Sequence, residues 1–248
     1  LTPGIDAIGN AHKLIQKGKA NVIIAGGFEQ ISFDLYMIFL MRKMLAGSNG
    51  TDKEISMPFD KRRNGFIMSE GSYVFIMENL EFALSRGARI YGEISGFATI
   101  FAGNKMYHTG KRIEKAKVAM QKCLDDANLS IHDVDLINAN GNSGDVSDLI
   151  EAKAIGELFE TGDKEIPVYA VKSVVGECYG ASGAMQTAAA VLSIHNSLVP
   201  PTINYEEKDP ECDVNITKEK QVRDINTALV NSFDLSGNNS CLMLKKYE

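Results

Sequence analysis

The chain contains several segments whose apolar residues recur at steps of three and four, the spacing of one face of a helix. The clearest segment is residues 111–127, which predict an amphipathic helix. Residues 5–17 predict another helix, with a face of small residues suited to close packing and with Gly18 after its end. Further helices are predicted over residues 80–86, 147–159 and 181–195.

Short apolar runs between these segments predict strands. Residues 22–25 carry no charge, so we predict a strand that is covered on both faces and ends at Gly26. Other strands are predicted over residues 72–78, 90–94, 134–139, 168–171, 227–232 and 241–246. Helices that alternate with buried strands indicate an α/β protein. A small-residue helix followed by an extended segment occurs near residues 5–25 and again near 183–204, which is a weak internal echo.

Composition narrows the classes of function. The chain has 248 residues, with 26 Lys+Arg against 32 Asp+Glu and a net charge of −6. The acidic balance argues against nucleic-acid binding through a basic surface, and no apolar run approaches the roughly 20 residues of a membrane span. The 4 cysteines lack the spacing of a zinc site or a disulfide framework, which fits a reducing cytoplasm. The glycines of residues 176–183 match no phosphate-binding motif, and we predict no cofactor and no metal.

Four segments carry motifs of one known family, in the order in which that family has them. They are Asn21–Glu29 (NVIIAGGFE), Met57–Gly71 (MPFDKRRNGFIMSEG), Pro200–Tyr205 (PPTINY) and Asn231–Asn239 (NSFDLSGNN). The chain resembles the β-ketoacyl synthase family over residues 1–246. The resemblance implies a thiolase-like α/β fold, a layered α-β-α-β-α sandwich that is incomplete here at the N-terminus. It also implies that residues 1–95 are the remaining part of the N-terminal half and residues 96–248 the C-terminal half.

The family's catalytic positions carry other residues in this chain. The resemblance places Leu1 where a nucleophilic cysteine begins a helix, and Asn140 and Glu177 where two histidines lie. Leucine cannot attack a thioester, and an asparagine amide does not exchange a proton near neutral pH. A carboxylate repels the enolate and the oxyanion that the two histidines stabilise. The resemblance therefore implies that the chain has no catalytic residues of its own.

Other positions of the family's site are kept or altered. Lys172 and Glu151 match the family's lysine and glutamate, and we expect a structural ion pair between them. Phe233, Asp234 and Leu235 fall in the tunnel or gate region, where active enzymes carry a glycine-rich loop. This combination most resembles the chain-length factor, the inactive partner of the ketosynthase in a type II polyketide synthase.

The resemblance implies a non-catalytic, cytoplasmic subunit that shapes the tunnel for a growing polyketide. The implied partners are an active ketosynthase, an acyl carrier protein, the polyketide intermediate and an N-terminal fragment of the same protein. Two alternatives stay open. In the first, the chain is a divergent synthase or acyltransferase whose nucleophile is Cys178 or lies in the absent segment. In the second, it is a scaffold without a role in product length.

Overall fold

The computed structural model describes residues 1–48, 50, 54–103, 109–159 and 165–247. Its helices are α1 (Pro3–Gln16), α2 (Phe33–Met41), α3 (Leu80–Ser85), α4 (Thr109–Asp126), α5 (Asp145–Phe159), α6 (Lys172–Val175) and α7 (Ser182–Asn196). Its strands are β1 (Val22–Glu29), β2 (Gly71–Glu78), β3 (Glu93–Phe101), β4 (Leu136–Asn138), β5 (Val168–Tyr169), β6 (Leu198–Val199), β7 (Gln221–Val222), β8 (Thr227–Phe233) and β9 (Asn238–Lys245). None of the helices in these described ranges is long and apolar enough to cross a membrane.

The strands form one large sheet and two small ones. The large sheet has five strands in the order β3-β9-β8-β4-β5. Strand β4 runs parallel to β5 and β8, whereas β9 runs antiparallel to both β3 and β8, so the sheet is mixed. Strands β1 and β2 form an antiparallel pair of their own, and β6 pairs with β7. The carboxyl ends of β4 and β8 therefore lie side by side, which is where the candidate site forms.

Helices α1 and α7 lie between the large sheet and the β1–β2 pair. Ile5 of α1 and Ile194 of α7 are buried in one cluster with side chains from both sheets. In β8, Val230 faces this layer while Leu229 belongs to the cluster on the opposite face, as the period of two in a strand requires. The two helices approach closely because Gly183 leaves room: a Cβ there would lie 2.7 Å from the Cβ of Ile5.

Helices α4 and α5 cover the opposite face of the large sheet. Met120 and Leu124 of α4 are fully buried against Met243 of β9 and Ile155 of α5. The amphipathic pattern predicted over residues 111–127 is confirmed by this packing, with the helix placed at α4. The order of layers is thus the β1–β2 pair, then α1 with α7, then the large sheet, then α4 with α5.

The outer face of the β1–β2 pair is apolar and open. Ile24 is 72% exposed, Phe28 78%, Val74 63% and Ile76 70%. The prediction that the first strand is covered on both faces is wrong for the part of the chain that the structure describes. The strand also continues through Gly26 instead of ending there, since β1 pairs with β2 along its whole length.

Two further expectations differ from the structure. Strand β3 runs to Phe101, beyond the predicted range 90–94, with a register shift between Ile94 and Gly96. A Cβ at Gly96 would lie 2.6 Å from the carbonyl oxygen of Cys123, so the glycine marks close packing and not an end. Antiparallel strand pairs come after both α1 (β1–β2) and α7 (β8–β9), but the extended segment of the internal echo near 183–204 contains only the short strand β6.

Candidate functional site

Asn140 lies just after β4 and forms the centre of a buried polar site. Its side-chain Oδ1 accepts a hydrogen bond from the Lys172 ammonium at 2.9 Å and another from the backbone N–H of Phe233 at 3.2 Å. Lys172 begins α6 and is 0% exposed. The Asn140 amide oxygen therefore joins the ends of β4 and β8 to the start of α6. These two hydrogen bonds fix the orientation of the Asn140 side chain.

Glu177 completes this site from the segment between α6 and α7. Its carboxylate lies 2.9 Å from the Lys172 ammonium, and it also accepts hydrogen bonds from the Ser182 hydroxyl and, at 3.2 Å, from the backbone N–H of Tyr179. Glu177 is 1% exposed. A buried charge is tolerated when it is paired and hydrogen-bonded, and both charges here meet that condition. We call Asn140, Lys172 and Glu177 the polar triad.

The expected ion pair between Lys172 and Glu151 is not the one that forms. Lys172 pairs with Glu177, and Glu151 accepts the backbone N–H groups of Asn140 and Gly141, both at 2.8 Å, and the Asn231 amide at 3.1 Å. The reason is geometric, because Glu151 projects from α5 toward the turn after β4. Burial raises the pKa of Glu151 to about 7.

Asp148, one turn earlier on α5, fixes the rest of the same loop. It accepts N–H bonds from Phe59 at 2.9 Å and from Asn142 and Ser143 at 3.0 Å. Burial raises the pKa of Asp148 to about 6. The sequence analysis predicts only a helix over residues 147–159 and does not identify this role of Asp148. A sequence signal for this role exists, because the loop that the Asp148 carboxylate caps is rich in glycine and asparagine.

Asp60 ties the segment after Met57 to the C-terminal part of the chain. It is 0% exposed, and one of its oxygens accepts the backbone N–H groups of Glu206 and Glu207 at 2.7 and 2.8 Å. The Arg62 guanidinium donates to both of its oxygens, at 2.8 and 3.0 Å. The motif at residues 57–71 thus docks onto the loop after Tyr205 through one buried carboxylate.

Leu1 and the β8–β9 turn lie at two sides of the site. Leu1 comes just before α1, and its carbonyl oxygen accepts a hydrogen bond from the Ser232 hydroxyl at 3.0 Å. In the turn, Asp234 accepts the Ser236 N–H at 2.6 Å, and Leu235 packs on a neighbouring apolar cluster. Phe233 is 7% exposed and connects the turn to Asn140. The predicted gate residues therefore border the polar triad.

Cys178, the alternative nucleophile, has an environment that keeps its thiol protonated. It is 0% exposed, and its Sγ lies 2.9 Å from the Ser69 hydroxyl. Burial raises the pKa of the Cys178 thiol, whereas reactive cysteines have a lowered pKa and access to the substrate. This arrangement is typical of a structural cysteine.

The chemistry open to the site follows from these contacts. The triad supplies no thiolate and no imidazole, and within it the Lys172 ammonium donates to both Asn140 and Glu177. Within the described ranges, no group of three histidine, cysteine, aspartate or glutamate side chains is arranged to hold a metal ion. Asn140, Lys172 and Glu177 thus form a fixed hydrogen-bonded arrangement, and none of the three is a thiol or a hydroxyl that could take an acyl group.

Comparison with known proteins identifies the family. Residues 3–83 match the family described as Beta-ketoacyl synthase, N-terminal domain, and residues 91–206 match Beta-ketoacyl synthase, C-terminal domain. The 3-oxoacyl-[acyl-carrier-protein] synthase 2 of Staphylococcus aureus (strain COL) is 37% identical over 246 residues, which are 99% of this chain and 59% of that protein. The protein of the same name from Synechocystis sp. is 38% identical over 250 residues, with the same two coverages.

Solved structures agree with the sequence relatives. A structure described as a type II PKS acyl-carrier protein in complex with its ketosynthase bound to the hexaketide has a TM-score of 0.92 and 30% identity, covering 99% of this chain and 61% of that one. The ishigamide ketosynthase/chain length factor has a TM-score of 0.87 and 29% identity, covering 99% and 59%. The chain spans about 59% of the length of its curated relatives. It belongs to the β-ketoacyl synthase family and has the thiolase-like ketosynthase fold, of which it represents a part.

Proposed function

We propose that this chain is a non-catalytic subunit of a type II polyketide synthase, a chain-length factor that pairs with an active ketosynthase. The observation that carries the proposal is the polar triad. The resemblance places Asn140 and Glu177 at the family's two histidine positions, and each of them binds Lys172 at 2.9 Å. With Leu1 at the cysteine position, acyl transfer lacks both its nucleophile and its proton-exchanging groups.

The charges of the site also support a non-catalytic role. Condensation of a malonyl unit passes through an enolate, whose negative charge an active site must stabilise with donors aimed at it. The Glu177 carboxylate is 1% exposed and paired with Lys172, so the Lys172 cation is already engaged by an anion. A second anion placed beside Lys172 would be repelled by the Glu177 carboxylate. We therefore assign the site a structural and shaping role.

The proposed partners follow from the relatives with a similar fold. One solved relative is named as a ketosynthase in complex with an acyl-carrier protein, and another as a ketosynthase/chain length factor. We propose that this chain forms a pseudo-symmetric heterodimer with an active ketosynthase, to whose cysteine an acyl carrier protein delivers the malonyl units.

A divergent synthase is the second candidate, and the identity of the curated relatives favours it. Proteins 37% identical to this chain are named as 3-oxoacyl-[acyl-carrier-protein] synthases. Such an enzyme needs a nucleophile from Cys178 or from outside this segment. The buried Cys178 thiol, with its raised pKa, argues against the first source.

Two measurements on the purified protein separate these functions. We expect native mass spectrometry to show an active ketosynthase bound to it, and radiolabelled malonyl or acyl carrier protein to leave no covalent label on this chain. Cys178→Ser serves as the matched control and should change neither result. A stable acyl adduct on this chain contradicts the proposal, and loss of that adduct in the control variant would identify Cys178 as its site.

A further inference from the structure

Strands β4 and β8 part at their carboxyl ends, just before the polar triad. Their parallel pairing runs as far as Asn138 and Val230. Beyond this pair the Asn140 N–H donates to a carboxylate of α5 and no longer to a neighbouring strand. The carbonyl oxygens of Ala139 and Asn231 lie at this point, and a buried carbonyl oxygen without a donor is costly. A group from outside the sheet is needed to satisfy them.

Gln186 of α7 supplies these donors. Its side-chain nitrogen donates to the carbonyl oxygens of Ala139 and Asn231, at 2.8 Å in both cases. The backbone carbonyl oxygen of Gln186 in turn accepts from the Asn138 amide at 2.8 Å. Gln186 and Asn138 are both 0% exposed. An amide NH2 group has two N–H donors, so one side chain bridges the two strands where their own pairing stops. We call these three hydrogen bonds the amide bridge.

The two donors are the part of the Gln186 side chain that this position uses. The amide oxygen of Gln186 is buried and has no hydrogen-bond partner among the described residues. Methionine has a similar length and volume and would fill the same space without burying an unpaired oxygen. A glutamine is therefore favourable at this position through the two hydrogen bonds that it donates, and not through packing alone.

The amide bridge lies directly before the triad. Asn140 follows Ala139, and its side-chain oxygen accepts from the Phe233 N–H at 3.2 Å. This contact joins the two strand ends again, so it depends on how far apart those ends are held. From the opposite face of the sheet, Glu151 of α5 accepts the Asn231 amide at 3.1 Å. Asn231 is thus held by α5 through its side chain and by α7 through its carbonyl oxygen.

We infer that Gln186 is a positioning residue of the site: its amide fixes the separation of the carboxyl ends of β4 and β8 and so keeps Asn140 in contact with both Phe233 and Lys172. The inference holds for either candidate function, because it concerns how the site is held and not what it acts on. A residue that only fills space in the core stabilises the whole protein. A positioning residue specifically protects the backbone around residues 139–143 and 232–236 from local opening.

Hydrogen exchange of backbone amides tests this role on the protein isolated with the chains that co-purify. In Gln186→Met we expect residues 139–143 and 232–236 to exchange about tenfold faster than in the wild type, and more so than the rest of the chain, since two hydrogen bonds are lost. Ile194→Ala is the matched control, because this residue of the same helix is 1% exposed and lies outside the amide bridge. It lowers overall stability and should speed exchange in these two segments no more than elsewhere.

A measurement on the unaltered side chain covers the case in which the methionine variant does not fold. With 15N in the glutamine side-chain amides, both Gln186 N–H protons should exchange with solvent at least about tenfold more slowly than those of Gln121, which lies exposed on α4. Equal exchange of the two glutamines overturns the inference. So does a Gln186→Met variant that leaves the two segments as in the wild type, or that changes them only as Ile194→Ala does.

Discussion

At the scale of single residues, the buried ion pair of Lys172 and Glu177 sets the energetics of the site. Lys172→Met leaves the Glu177 carboxylate buried without its cation, and we expect a loss of about 3–5 kcal/mol in the free energy of unfolding. The double variant Lys172→Met/Glu177→Gln removes both charges and should recover more than half of that loss. Denaturant unfolding of Lys172→Met, Glu177→Gln and the double variant measures this coupling. Additive losses would mean that the charges do not depend on each other.

Glu151 gives the protein a predictable dependence on pH. Burial raises its pKa to about 7, from an ordinary value of 4.5, so the folded state holds the proton more tightly than the unfolded state. Its contribution to stability is therefore complete below about pH 4.5 and is lost as pH rises through 7, by about 3 kcal/mol in total. Glu151→Gln should reduce the slope of the stability profile in that window, leaving the part that comes from Asp148, whose pKa is raised to about 6. Glu157→Gln, on the exposed side of the same helix, should leave the slope as in the wild type.

The role of Glu151 shows where residue-level reading from sequence stops. The motifs located Asn140, Lys172 and Glu177 correctly as neighbours, because each follows a recognisable strand or turn. They did not show which carboxylate takes the lysine, since that depends on the direction in which α5 points its side chains. The structure turns Glu151 to the N–H groups of Asn140 and Gly141, which leaves Lys172 to Glu177.

At the scale of elements, close backbone contact between β1, α1 and the segment before α7 positions the site. A Cβ at Gly27 would lie 2.4 Å from the carbonyl oxygen of Gly180 and 3.0 Å from the Cα of Gly4. We expect Gly27→Ala to separate these elements and to cost about 1–3 kcal/mol of stability. Gly110→Ala in α4, where a Cβ would meet nothing within 4 Å, should be neutral or slightly stabilising. Thermal unfolding of the two variants checks this, and equal effects would contradict it.

Periodicity predicted the existence of most elements, and packing decided their ends. The helix α4 has a clear amphipathic stripe, so its type and approximate range could be read directly. Strand β3 could not, because Gly96 interrupts its apolar alternation at a point where the Cys123 carbonyl oxygen leaves no room for a side chain. A glycine required by a distant contact looks in sequence like a glycine that ends a strand.

At the scale of the whole molecule, the two strand pairs that follow α1 and α7 have different surroundings. The β8–β9 pair has a neighbouring strand on each side and is covered by α4 and α5. Among the described residues, the β1–β2 pair has no neighbouring strand and no helix on its outer face. On that face Ile24, Val74 and Ile76 are 63–72% exposed. Apolar patches of this kind mark surfaces that another layer of protein covers. We therefore expect this face to be buried in the assembled native protein.

A pair of lysine substitutions tests this expectation. Ile24→Lys places a charge in the open β1–β2 face. In the protein isolated together with the chains that co-purify, we expect the free energy of unfolding to fall by more than about 2 kcal/mol. The reason is that a lysine covered by another layer would have no charged partner there. Val222→Lys, at a position 78% exposed in β7, is the matched control and should change stability by less than about 0.5 kcal/mol. Unfolding of the co-purified assembly is the measurement. If both variants behave alike, water remains in contact with the β1–β2 face in the native protein, and the likeness between the two strand pairs does not extend to a covering layer.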